Sequence, residues 1–509
     1  MKKFFFKKSK KFLSFVIVAF FLTFALFSSA DNERTPHFKI NSKFLTTAQE
    51  LYEWNKYKDS KGPSLAGTES WQSFVKFLED EFRKTGLVDI KKDKISFHGW
   101  FTSNRREDGD WTLSIEGKKI RVASYWAFSG STPPEGVTAP LVYYDEENPP
   151  KSIENKIVVF DTPSLPKPLP PMFKSPGFEF ASNPEDLPTD NFTIEQWYQV
   201  NYYSRFGGFR EILTSGKAAG GLVISKMGPE MASGVYTLPP PPYIFGVPSL
   251  FLDRKAGEEV RNFAQKGKMA TLKLIAKEKP SEIYFLSALL PGKDYGNEND
   301  EIVLLLSHTD GPNISQENGA LGILAVMKYF SHIPQNERRR SLLVVLDPQH
   351  YIPERHAVDW FKLHSEISKK IVASFAIEHL GQIEYREKGD HFLPTGKPEV
   401  TQLFVQNNEK LINSAIEAVK MSKIPRTIVY CPLKKGQGRW NGMGDFAIKR
   451  NIPGYGISAT MSAYWSLEAG IDKFDKDLMY KQTELAVLLT EVLMDSDLED
   501  IKPIEVKRY

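Results

Sequence analysis

From about residue 300 this chain alternates short apolar runs with helix-like stretches. That rhythm limits the fold more than any other feature of its 509 residues. EIVLLLSH (301–308), SLLVVLD (341–347), KIVASFAIEHLG (370–381) and IPGYGISA (452–459) read as strands or strand-containing runs. Between and after them, GALGILAVMKYFSHI, VDWFKLHSEIS and KDLMYKQTELAVLLTEVLM read as helices. Strands apolar on both faces belong inside a sheet that helices cover on both sides. The expected class is therefore α/β, with a mixed, mostly parallel sheet sandwiched by helices. In such sheets ligands collect at the carboxyl ends of the strands, so the residues where each apolar run stops carry the chemistry.

The first part of the chain has other rhythms. Residues 44–88 read as helical: TAQELYEWNKY has helical spacing, GPSLAGTES is a turn, and ESWQSFVKFLEDEFRKTG places Trp71, Phe74, Val75, Leu78 and Phe82 on one face before Gly86. From about 90 to 290 the candidates are short strands: GVTAPLVYYD, KIVVFD, GLVISK, VPSLFLD and ATLKLIA. Proline-rich LPKPLPPMF and LPPPPY lie between them and cannot enter a sheet interior.

Charge removes one class of function. Of the 66 Lys and Arg residues, six lysines (Lys2, Lys3, Lys7, Lys8, Lys10, Lys11) fall within the first 30 residues, which hold no acids. The remaining 60 basic side chains face 63 acidic ones, with none of the bias that nucleic-acid binding requires. The lysine cluster, the apolar run Phe12–Phe27 and the small residues Ser28-Ser29-Ala30 form an export signal, with cleavage expected before Asp31. The rival is an uncleaved anchor, but the run is shorter than the ~20 residues that span a bilayer. Cys431 is the lone cysteine, which excludes an internal disulfide and reads as a small buried apolar residue.

At the strand ends stand His308, followed by Asp310; Gln349-His350 after Asp347; and Glu378-His379. Glu317 sits in a loop before the next helix. Imidazoles and carboxylates are what zinc accepts at a hydrolytic site. Asp310, two residues beyond His308, is placed to orient that imidazole. Each residue alone reads as structural; the signal is their shared edge.

These motifs together resemble the secreted zinc exopeptidases that include bacterial aminopeptidases, glutamate carboxypeptidase, glutaminyl cyclase and the transferrin receptor ectodomain. SHTD, QENGALG, LDPQH and IEHLG stand where that family has its site motifs. GPSLAGTES with its following helix resembles the family's front segment, and the β-rich stretch resembles an inserted protease-associated domain. The expected organisation is the signal peptide at 1–30, read from its residues, and an N-terminal helical part of the peptidase-like domain at 31–90. A β-rich region then occupies 91–290, with the protease-associated-like domain at about 130–280. The zinc-exopeptidase-like α/β domain occupies 291–500.

The resemblance also assigns roles. His308, Glu317 and Glu378 correspond to one metal's ligands. Glu317 and His350 correspond to the other's, whose late His is missing, because no His lies beyond His391. Gln349 occupies the general-base position, and an amide does not titrate there; Glu354 and His379 are the nearest substitutes. Trp440, Asp445, Tyr464 and Trp465 are expected around a substrate pocket. The expected protein is exported, holds at most one zinc and binds a peptide or small amino-acid-like ligand. A single-zinc aminopeptidase and a glutaminyl-cyclase-like acyltransferase are the alternatives.

Overall fold

A computed structural model describes residues 38, 40–165, 177–190, 192, 195–196, 198–200, 214–237, 246–434, 440, 442–459 and 465–504, with Glu317 described for its backbone alone. The chain divides after Ile40, and Asn41–Tyr509 is the unit that carries the sheets.

The sequence rhythm becomes a nine-stranded mixed sheet. Its centre is four parallel neighbours: Ser341–Asp347, Ile302–His308, Ile371–Ile377 and Gly454–Ala459. Every residue of the first two is buried, as a sheet covered on both faces requires. Antiparallel strands extend it on either side, with Lys277–Leu290 against Ser341–Asp347 and Thr401–Val405 against Gly454–Ala459. The register positions the chemistry: His308 lies directly opposite Asp347, so two chemically loaded strand ends finish level.

Helices cover the sheet where the apolar periodicity placed them. Ala48–Asp59 is capped by Thr47, whose hydroxyl accepts from the Glu50 N–H, and Glu69–Lys84 is capped likewise by Thr68. Trp71, Phe74, Val75, Leu78 and Phe82 are all buried. Gly86 then takes a φ of +83°, where a side chain would be strained. Gly319–Ser331 and Lys476–Asp495 form long helices with mostly buried residues.

Two expectations change. VDWFKLHSEIS is not one helix but two short ones, Trp360–Leu363 and Ser365–Ser368, broken at His364. The His364 ring leaves the helical path to meet Asp93 at 2.8 Å. The longest pairing among the described residues, Val88–Phe101 against Lys277–Leu290, was not marked by the strand candidates. Its outer strand is rich in lysine, in keeping with an edge that must stay soluble.

The short strands between build a second, eight-stranded sheet with its own apolar core around Trp111, Tyr125, Leu222 and Leu272. The strand Phe178–Ala181, from the same stretch of sequence, instead joins the edge of the large sheet beside Thr427–Tyr430. Among the described residues no helix is long and apolar enough to cross a membrane; the expected export signal lies outside them. Cys431 is buried, and burial pushes its thiol up to about 11, which fits an inert packing residue.

Candidate metal centre

Three donors converge where the central strands end. His308 closes one strand, and Glu378 and His379 come directly after the next. One ligand atom from each lies within 4.8 Å of the others, and all three residues are buried. His308 Nε2 is 3.6 Å from Glu378 Oε2, and His379 Nε2 is 3.9 Å from the same oxygen.

Their neighbours fix how they face. His308 Nδ1 lies 2.9 Å from the backbone carbonyl of Asp310, which only accepts, so the proton sits on Nδ1 and Nε2 presents its lone pair. His379 Nδ1 lies 2.8 Å from Ser458 Oγ, which turns Nε2 toward Glu378. Glu378 Oε1 accepts from the Met443 N–H at 2.6 Å, whereas Oε2 is buried with no hydrogen-bond partner. A buried carboxylate oxygen left without a donor, beside imidazole nitrogens, is the signature of a cation's place. Gln316 Nε2 lies 3.5 Å from His308 Nε2, and Gln316 Oε1 is buried without a partner. Turning that amide over, an assignment made from hydrogen bonds alone, presents Oε1 to the same point. The donor set fits a divalent ion of zinc's type.

Burial sets the electrostatics. It pushes Glu378 up to about 7, against the pull of the Met443 N–H and the Arg355 charge. Burial likewise pulls His308 down to about 4, and His350 and His379 well below the usual imidazole value. The imidazoles are therefore neutral, as ligands must be.

The turn holding the cluster is tightly built. His379 adopts φ +54° and Gly381 φ +67°, left-handed conformations that non-glycine residues seldom hold without support. Asn318 supplies it: Oδ1 accepts from the Leu380 N–H and Nδ2 donates to the Leu380 carbonyl. Gly442 passes so close that a Cβ there would meet Glu378 Oε1 at 2.1 Å. Gly442 and Met443 thus cradle Glu378.

The level strand end beside this cluster differs. Gln349 is fully buried. Its Nε2 donates to Asp347 Oδ1 at 3.2 Å and to the Val358 carbonyl at 3.0 Å, and its Oε1 accepts from the Val358 N–H at 3.0 Å. Asp310 does not orient His308 through its carboxylate as expected from sequence. Its backbone carbonyl does that, while the carboxylate accepts from the His350 and Tyr351 N–H groups at 3.0 and 2.5 Å. Burial pushes the Asp310 carboxyl well above the usual range, with those donors pulling it back. The His350 ring stacks on His308, centroids 4.2 Å apart, instead of joining the three-donor cluster.

The remaining site residues scatter. Glu317 closes the four-residue helix Ile314–Glu317, and its side chain lies outside the described residues, as does Tyr464. Glu354 Oε2 is buried with no hydrogen-bond partner. Trp440 is buried and packed with Phe404 and Ile448 in a small apolar cluster. Asp445 opens a short helix and pairs with Lys449 at 2.5 Å. Trp465 lines a cavity of about 210 Å³ with Met227, Met231 and Phe392, and its carbonyl accepts from Tyr236. The Tyr236 ring in turn meets Tyr351, so the second sheet is tied to the loop beside His350. Asn318, Gly442 and Arg355 were not marked as site residues from sequence; the asparagine directly before the helix Gly319–Ser331 was the available signal for the first.

No protein-family model matches the chain, and no curated protein matches it. Solved structures do. A peptidase M28 precursor from Shewanella amazonensis SB2B aligns at TM-score 0.62 and 15% identity, over 90% of this chain and 97% of that one. The zinc aminopeptidase BSAP from Bacillus subtilis aligns at 0.61 and 14%, over 90% and 98%. An aminopeptidase from Aneurinibacillus sp. strain AM-1 aligns at 0.56 and 14%, over 90% and 97%. The chain has a zinc-exopeptidase-like α/β fold, as the motif resemblance implied. At these identities the likeness establishes the fold, and chemistry rests on the residues.

Proposed function

We propose that this is an exported protein with the zinc-aminopeptidase fold that holds a single zinc and binds a peptide or other small amino-acid-like ligand without efficient hydrolysis. His308, Glu378 and His379 would hold the ion, and a bound zinc would supply positive charge that polarises a ligand carbonyl. His379 joins the set because it lies in the described cluster; the Glu317 side chain lies outside the described residues. The β-rich region, read as a protease-associated-like insert, caps the site, and residues 1–30 direct export.

The observation that carries the reading is the state of Gln349. A general base must reach the attacking water and titrate near neutral pH, a contribution of ~10²–10⁴-fold. Gln349 cannot titrate, and both ends of its amide are already bonded to Asp347 and Val358. Holding the loop is its work.

One observation favours the second reading, a single-zinc hydrolase. Glu378 has a carboxyl pushed up to about 7 and a partnerless Oε2, which suits an acid–base group as well as a ligand. The two readings separate by zinc titration combined with aminoacyl-anilide turnover. Stoichiometric zinc with turnover near background supports the binding protein. Stoichiometric zinc with turnover abolished by His308→Ala establishes the hydrolase instead.

A further inference from the structure

Beside the cluster, one guanidinium is held in an unusual way. His356 Nδ1 lies 2.9 Å from Asp347 Oδ2, so that nitrogen carries the proton and donates. The bare His356 Nε2 accepts from Arg355 Nε at 3.3 Å. Arg355 Nη2 then reaches the His350 ring, 3.0 Å from Nε2 and 3.3 Å from Nδ1. His350 stacks on His308, a donor of the cluster. His356 adopts φ +55°, in the left-handed region that few non-glycine residues other than Asn, Asp and His enter.

Two features set Arg355 apart from an ordinary surface arginine. Among the described residues no carboxylate lies within ion-pair distance of it, and its Nη1 donates to none of them. Arg355 is also exposed, so solvent and ligands reach it. A guanidinium positioned by neutral groups, with donors left over and its charge not paired, is preorganised to take a planar anion in bidentate fashion.

We infer that Arg355 is an anion receptor built beside the metal centre, and that the ligand of this site carries a carboxylate which Arg355 binds. The inference rests on the reading of His308, Glu378 and His379 as the cage of one ion. It deepens that reading by naming the ligand class: a free amino acid or a peptide with a free C-terminus. The same fixed cation stands against His350, the residue that the sequence assigned to a second metal, and disfavours another cation there.

The test is calorimetric binding of four probes to the full chain, with and without zinc: leucine, leucinamide, Leu-Gly and Leu-Gly amide. Expected is binding of at least one acid about 10-fold tighter than its amide, as loss of a charge-assisted hydrogen bond implies. Leucine against Leu-Gly distinguishes the free amino acid from the peptide terminus. R355Q abolishes the preference and R355K retains part of it, while both keep the zinc stoichiometry and melting temperature of the parent. Amides binding as tightly as acids, an undiminished preference in R355Q, or no binding of any probe overturns the inference. A chain that takes no zinc yet prefers acids through Arg355 sinks the metal reading and leaves the receptor standing.

Discussion

Two neighbouring strand ends in this molecule finish level, His308 opposite Asp347, and have gone opposite ways. On the His308 side, buried ligand groups converge: Glu378 Oε2 has no hydrogen-bond partner, and imidazole nitrogens face it. On the Asp347 side, the strand end is held by its own side chains: Gln349 bonds Asp347 and Val358, and His356 bonds Asp347. The exposed Arg355 at its rim rests on His350 and His356 and keeps donors to spare. The difference teaches how to separate binding from structure at a strand end. Buried polar atoms that satisfy one another need no ligand, whereas convergent acceptors without donors remain unfavourable until a cation arrives.

The contrast breaks most directly at its ligand side. Glu378→Ala is expected to weaken zinc binding by ~10²-fold or more, measured by competition with a chelating dye. The matching truncation on the other side, His350→Ala, is expected to change zinc affinity only slightly. Equal losses from both would erase the distinction.

Next in size is the cradle. Gly442→Ala adds a Cβ 2.1 Å from Glu378 Oε1 at a backbone φ of +76°. It should cost about 1–3 kcal/mol in chemical denaturation and weaken zinc with it, because it displaces the carboxylate.

Restoring the missing acid sharpens the contrast. Gln349→Glu places a carboxylate against Asp347 and the Val358 carbonyl, where an amide now donates. The expected result is a loss of about 1–2 kcal/mol and no gain in aminoacyl-anilide turnover. A stable variant that turns over substrate would mean that the loop opens toward the ion.

The smallest effect concerns acid. Burial holds His350 well below the usual imidazole value, so the unfolded chain binds its proton first as pH falls. The stability that neutral His350 contributes is present above about 6.5 and is lost as pH falls toward its folded value. His350→Gln should therefore make the decline of melting temperature below pH 6.5 shallower.

Much of the fold was legible in the sequence because burial writes itself into composition. The strands Ile302–His308 and Ser341–Asp347 are apolar throughout most of their length, and the helix caps Thr47 and Thr68 carry their own signal. The convergence of His308 with Glu378 came from strand ends on one edge. What was not legible depends on rotamers and loop closure. Nothing in LDPQHYIPERHA says that Gln349 turns back to Val358 or that Arg355 lies between two imidazoles. His379 as a donor comes from a left-handed turn that the sequence marks only through Gly381. The break at His364 likewise comes from a distant partner, Asp93.

The central claim is that one side of the centre holds an ion and the other holds itself. Anomalous diffraction at the zinc edge, from crystals of the full chain grown with zinc, tests it most directly. The account predicts a single peak, bonded to His308 Nε2, Glu378 Oε2 and His379 Nε2, with Gln349 still bonded to Val358. Two peaks, or one peak bonded to His350 and Glu317, would contradict it.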